Sequence, residues 1–314
     1  MTSSPTDWRA ALAAEVAAVY ADCPRVGAVL LAGSVARGWA DPFSDIELFV
    51  FWHESPSPSL RQRLIARAGG FVDLNWAQRA PTQAALRREL QRKKGRLSQL
   101  WPYEDNEWSE HFFVNGVEIG VSGFLAPTVE QLLDGLLLDY DPAPLGQMLA
   151  SSLTAGRCLV GTELVEPWRA RVKHYPEGLS RAVIDAELSY EPLWAAREYA
   201  VARGELILLL QIKQRLTTKL LRLLFGLNRR YLPDPRFKWL AQIAPALPLC
   251  PPQLVRRLQV LSTASPANAM MELRRLMEQS LDLIDHHLPG LDTDFARDWL
   301  TYRRARWDEP PPVK

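Results

Sequence analysis

The chain has 314 residues, 47% of them apolar and 23% charged, with a formal net charge of +1. That length exceeds what one hydrophobic core usually serves, so two domains are expected, and the composition is that of a globular protein rather than a disordered or fibrous one. The balanced charge excludes a global pull toward nucleic acid or anionic membrane, so any polyanion must be met by a local patch. The three cysteines, Cys23, Cys158 and Cys250, are odd in number and lack CxxC or zinc spacing, which fits a reducing cytoplasm. The N-terminus reads as a Ser/Thr cap region followed by an amphipathic helix, so no export signal is expected. The longest apolar runs, such as residues 206–210, are interrupted by Gln211, Lys213 and Arg215. They fall short of the roughly 20 residues that span a bilayer, so no membrane association is expected.

In chain order, helical spacing of apolar residues over 7–22 is followed by a buried strand at 26–32 that ends on Gly33-Ser34. After a Gly/Asp/Pro-containing loop, residues 45–52 (DIELFVFW) form a second strand. Its alternation puts Ile46, Leu48 and Val50 on one face and Asp45 and Glu47 on the other. A helix is expected at 57–69, a short strand at 71–75, and a long helix at 82–100 carrying Arg87, Arg88, Arg92, Lys93, Lys94 and Arg96, whose charges read as a solvated face. Asn115-Gly116 between two β-rich runs predicts a hairpin, with Glu118, Gly120 and Ser122 sharing a face of its second strand. From about 128 the pattern is helical, punctuated by prolines, apart from a short strand at 157–160. The expected division is a catalytic domain at 1–140, a helical domain at 141–307 and a disordered proline-rich tail at 308–314.

Two carboxylates one residue apart on a strand can bridge divalent metals, and magnesium takes hard oxygen ligands and leaves room for substrate phosphates. Asp45 and Glu47 are that pair. A third acid comes from a neighbouring strand, with Glu118 as the better placed candidate and Asp73 as its rival. Gly33 permits close backbone approach, and the Ser34 hydroxyl with adjacent N–H groups can hold phosphate oxygens. A lysine is the natural mobile charge for β- and γ-phosphates; Lys213 and Lys219 on the helix near 205–225 are the candidates. Arg37 is either an exposed helix charge or a triphosphate contact. Trp39, between the Gly-Ser and the acids, is the tryptophan best placed to stack on a base or acceptor. The five histidines, His53, His111, His174, His286 and His287, show no metal spacing and read as structural.

The segment LAGSVARGWADPFSDIELFVF at 31–51 resembles the signature of the DNA polymerase β-like nucleotidyltransferase superfamily. Its Gly38, Ser44 and Asp45 resemble the small bacterial members, including aminoglycoside nucleotidyltransferases and stand-alone enzymes, which adds Ser44 to the nucleotide-binding set. Residues 223–240 also look like a segment of the stand-alone members. The departure from the pattern is that both later acids are Glu rather than the commoner Asp. The resemblance implies an α+β architecture, in which a mixed, mostly antiparallel sheet with flanking helices joins a C-terminal helical bundle, with the active site in the cleft between them. It implies two Mg2+ ions on Asp45, Glu47 and Glu118, and ATP as the NTP that donates AMP to an acceptor hydroxyl with release of pyrophosphate. A small acceptor such as an aminoglycoside suits an acidic cleft. A tRNA or protein acceptor is the alternative, as is a regulatory module that keeps the fold without catalysis. Small members of the family often pair so that a neighbour closes the cleft, so a homodimer is compatible with the resemblance.

Overall fold

The computed structural model describes residues 4–70 and 108–304. The strand expected at 71–75, the basic helix expected at 82–100, the rival acid Asp73 and the tail expected at 308–314 lie outside them. The chain divides into two compact units, one formed by Met1–Asp139 with Leu145–His174 and the other by Tyr140–Pro144 with Tyr175–Lys314.

The first unit opens with α1 (Pro5–Ala21), whose start is fixed by a capping box. The Ser4 hydroxyl accepts the Asp7 N–H and the Asp7 carboxylate accepts the Ser4 N–H, so two donors orphaned at a helix start are satisfied. Then follow β1 (Val26–Leu31), the short α2 (Gly33–Ala36), β2 (Ile46–Trp52), α3 (Pro58–Arg67), β3 (Trp108–Val114), β4 (Val117–Leu125), α4 (Ala126–Leu137), α5 (Pro144–Ala155), β5 (Arg157–Val160) and α6 (Thr162–Val172). The strands form one five-stranded sheet in the order β3-β4-β2-β1-β5. The β3–β4 hairpin turns at Asn115 and Gly116, both with positive φ, which is the conformation that an Asn-Gly turn adopts readily. The sheet is mixed because β2 pairs with β4 in parallel, while the other pairings are antiparallel.

The alternation in β2 sorts the two faces. Ile46, Leu48 and Val50 are fully buried with Val29, Leu31, Ile119 and Val121 against Leu12, Val16 and Tyr20 of α1 and Leu64 of α3. On the opposite face Phe49, Phe51 and Phe124 form an aromatic cluster to which α6 adds Trp168, its ring 5.0 Å from that of Phe51 and close to perpendicular. Among the described residues, α1 and α3 therefore cover one face and α6 packs on the other at the Phe51 end. Residues 141–174, expected in the helical half, mostly pack with the sheet because Arg157–Val160 pairs with β1 as its edge strand.

The second unit is helical: α7 (Glu177–Leu188), α8 (Arg197–Arg203), α9 (Leu206–Leu227), α10 (Leu240–Ile243), α11 (Leu254–Val260), α12 (Pro266–His287) and α13 (Asp294–Thr301). Its core is built on α9 and α12, where Leu216, Leu220, Leu223, Leu273, Leu276 and Leu281 are completely buried. Among the described residues no helix is long and apolar enough to cross a membrane. Trp168 is 1% exposed, so Trp168→Ala removes a large side chain from a packed layer and is expected to cost about 3–5 kcal/mol. Urea unfolding followed by circular dichroism checks it, and a loss below about 1 kcal/mol would contradict the packing described.

Candidate active site

The end of β1 and the start of β2 are held together by one close fit. The Ala32 N–H donates to the Glu47 carbonyl at 2.9 Å, and the chain then enters Gly33 with φ +63. A Cβ on Gly33 would lie 1.6 Å from Glu47 Oε2 and 2.8 Å from its carboxyl carbon. The Glu47 carboxylate therefore occupies the space a side chain at 33 would need. Glycine is required twice here, for the left-handed backbone and for the room.

Arg37 ties this turn to α5. Its guanidinium donates to the Gly33 carbonyl and to Ser151 Oγ, each at 3.1 Å, and lies 5.8 Å from the Trp39 ring centroid. Burial pushes the Arg37 guanidinium below its usual range, and the neighbouring Glu47 carboxylate pulls it back up. Arg37 is thus the fixed positive partner of Glu47. Ser151 escaped the sequence reading, since a serine in a helix carries no signal of a contact 114 residues away in the chain.

The loop from Gly38 to Asp45 is locked from two sides. The Asp41 carboxylate accepts the Phe43 N–H and the Ser44 hydroxyl, and Ser44 Oγ accepts the Asp41 N–H. Arg9 of α1, only 5% exposed, donates from Nε to the Ser44 carbonyl at 2.8 Å and from its Nη atoms to the Pro42 and Pro5 carbonyls. Ser44, read as a nucleotide contact, has its hydroxyl inside this lock, and the lock positions Asp45 at the mouth of β2. Arg9 was invisible in the sequence because one arginine on a helix normally marks the wet face. Phe43, two residues before Asp45, is 97% exposed, with its backbone N–H held by Asp41.

The sheet register sets the remaining acid. Glu47 pairs with Gly120 in parallel, and Gly120 pairs with His111 across the hairpin. Directly paired residues share a face, so Glu47, Gly120 and His111 form a row across three strands. Glu118 lies two residues before Gly120 on the same face, next in line to Asp45. A Cβ on Gly120 would sit 3.4 Å from the His111 ring, so the missing side chain leaves the imidazole room over the strand. His111 Nδ1 lies 3.1 Å from Glu118 Oε1. His111, read as structural, is therefore part of this face. The two side chains are 46% and 41% exposed, so their contact is worth at most about 1 kcal/mol, and Glu118 can turn away from it at little cost.

Asp45, Glu47 and Glu118 offer the hard oxygens that magnesium prefers, and they come from one end of one face. As placed, Glu47 turns to Gly33 and Arg37 while Glu118 turns to His111. Among the described residues no three His, Cys, Asp or Glu side chains converge on a point where they could hold a metal ion. The donor chemistry fits and the backbone register fits; the side chains are not gathered.

Lys213 and Lys219 both lie on α9 in the second unit. Lys219 is 6% exposed and donates to the Glu187 carbonyl at 2.7 Å, the Ser189 carbonyl at 3.1 Å and Ser189 Oγ at 3.2 Å. Those three bonds use the three N–H groups of an ammonium. Burial lowers its pKa, and Glu187 and Glu191 oppose that shift. Lys213 Nζ contacts the Leu261 carbonyl at 3.4 Å. The packing of the second unit accounts for Lys219 fully.

Three comparisons with known proteins bear on the chain. Residues 145–240 match the model of a family described as a domain of unknown function, DUF4037. No curated protein matches. Among solved structures, a nucleotidyltransferase-like protein from Exiguobacterium sibiricum 255-15 is similar at 10% identity over 88% of this chain and 78% of that one, with a TM-score of 0.30. At that identity and TM-score the likeness carries no argument about activity, which rests on the site itself.

Two substitutions separate the roles of these residues. Gly33→Ala is expected to destabilise by about 1–2 kcal/mol through its backbone alone and further through the displaced Glu47 carboxylate. Paired with Glu47→Ala it should show a coupling of at least about 1 kcal/mol in a double-mutant cycle by urea unfolding; strict additivity would contradict the close fit. Lys219→Met should lower stability by about 2–3 kcal/mol, as expected for removing a buried, fully bonded ammonium. ATP binding per folded molecule should stay unchanged in calorimetry, whereas a tenfold weaker affinity would return Lys219 to the nucleotide site.

Proposed function

We propose that the chain is a magnesium-dependent nucleotidyltransferase that moves AMP from ATP to a hydroxyl of a small acceptor such as an aminoglycoside, releasing pyrophosphate. The observation that supports this reading is the backbone register that brings the Gly33-Ser34 turn, Asp45, Glu47 and Glu118 to one end of one sheet face, with Arg37 against the turn. In this reading Asp45 and Glu47 hold the metal and Glu118 completes the set. The ions would neutralise the triphosphate and polarise the phosphorus under attack.

The remaining work falls to the chain itself. The Ser34 hydroxyl and the backbone N–H groups of the turn hold phosphate oxygens at the strand end. Arg37, fixed by Gly33 and Ser151, faces Glu47 and puts a positive charge beside the phosphates. The Arg9 and Asp41 bonds to the loop hold Asp45 ready, so little ordering is needed when substrate arrives. Phe43 offers an exposed ring face to a base or to the ring of an acceptor. Glu118, freed from His111, is placed to take the proton of the acceptor hydroxyl.

A panel of labelled NTPs offered with aminoglycosides and tRNA tests the reading. Label should pass from ATP to a small hydroxylated acceptor in the presence of magnesium, and Asp45→Ala should reduce pyrophosphate release on the order of a hundredfold or more. Unchanged release in Asp45→Ala would refute the assignment. Label on tRNA, with binding that falls steeply with salt, would replace the small acceptor with nucleic acid.

A further inference from the structure

A cavity of about 280 Å³ lies within the helical unit between the Pro192–Ala196 turn, α8, α12 and the segment after α13. Trp194 and Met270 give it an apolar floor, and Arg197, Arg274 and Arg303 bring three guanidiniums to its wall from three separate elements. Glu198 is the single carboxylate among its lining residues. We infer that this cavity is a binding site for a phosphomonoester, its phosphate held by Arg197, Arg274 and Arg303 and its apolar part set against Trp194 and Met270.

The argument begins with Arg197. Its side chain is 7% exposed, its guanidinium stacks over the buried Trp194 ring at 4.6 Å, and Nη1 donates to the Trp194 carbonyl at 3.0 Å. Stacking and that one bond fix the plane of the group. Its nearest carboxylate oxygen, on Glu198, is 3.8 Å from Nη2, too far for a hydrogen bond. Burial and then the positive charges of Arg274 and Arg303 press its pKa downward against the pull of Glu198. A buried cation facing two more cations is a costly arrangement unless an anion comes between them.

The other two arginines are held by one nitrogen each. Arg274 donates its Nε to Glu278 at 2.7 Å, a carboxylate outside the cavity wall, and Arg303 Nε forms an ion pair with Glu198 Oε1 at 3.2 Å. The Nη groups of both have no protein partner among the described residues. Among the described residues, with Glu198 and Glu278 counted, the cluster carries one net positive charge.

The geometry favours phosphate over carboxylate. A planar carboxylate is satisfied by one guanidinium fork, whereas a tetrahedral phosphate presents three acceptor oxygens that can take forks from three directions. The apolar floor adds area for an organic group. None of its lining residues is among the acids at the β1–β2 end of the sheet.

The sequence holds five methionines, so the full chain labelled at its methionine methyl carbons gives a small set of resonances, with Met270 reporting this cavity and Met148 and Met277 as controls. AMP, inorganic phosphate, adenosine and benzoate are titrated without magnesium at fixed ionic strength. AMP and phosphate should move the Met270 methyl saturably and leave Met148 in place, while adenosine and benzoate should not move it. Phosphate acting as well as AMP would identify the free anion as sufficient; AMP alone acting would require the ester, and either supports the site. The Arg274→Gln/Arg303→Gln variant should bind at least tenfold more weakly. Because Arg303 is 70% exposed, Arg303→Gln alone keeps the fold and should weaken binding severalfold. A still Met270 methyl, equal movement of all methionines, a stronger response to benzoate, or undiminished binding in the variants would overturn the proposal.

Discussion

The Glu47 carboxylate lying where the side chain of residue 33 would be is the constraint on which the first unit's site depends. It forces glycine at 33, and the left-handed turn at that glycine ends β1 and starts α2. That turn in turn sets Arg37 on the Gly33 carbonyl, from which it reaches Ser151 and faces Glu47. A carboxylate held this way beside a half-buried guanidinium stays in one place where an exposed strand residue would be free to wander. The chemistry proposed for the site needs such an acid in a fixed place, since preorganised charge is what low-dielectric sites contribute to catalysis.

Around that constraint the sheet does two jobs with its two faces. One face is sealed by α1 and α3 through Ile46, Leu48 and Val50, which anchors β2 so that Glu47 must point the other way. Among the described residues the opposite face carries its aromatic packing at the Phe51 end, and Glu47, Gly120, His111 and Glu118 lie toward the other end. The parallel pairing of β2 with β4 is what brings Glu118 beside Asp45. An antiparallel pairing in the same register of faces would run β4 the opposite way and carry Glu118 toward the Trp52 end.

Much of this was legible in the chain because it is local. The strand, glycine, loop and acid pattern over 26–52, the Asn-Gly hairpin and the helical second half all follow from periodicity and turn chemistry within a dozen residues. What was not legible is long-range. Nothing local says that Arg157–Val160 joins the first sheet, that Arg9 reaches the Ser44 carbonyl, or that Lys219 turns inward to Glu187 and Ser189. Arginine and lysine on amphipathic helices look solvated in sequence, and only the packed structure distinguishes a buried clamp from a wet face. His111 illustrates the same point on a strand, where its partner Glu118 is found only through the hairpin register.

The central claim is that Asp45 and Glu47 form a metal and nucleotide site around the Gly33 turn. Manganese, as a spectroscopic stand-in for magnesium, can be titrated against a non-hydrolysable ATP analogue and followed by paramagnetic resonance. The account predicts that bound manganese appears with the analogue in the wild-type chain and is lost in both Asp45→Asn and Glu47→Gln while the fold is kept. Manganese and analogue bound equally well by both variants would contradict it.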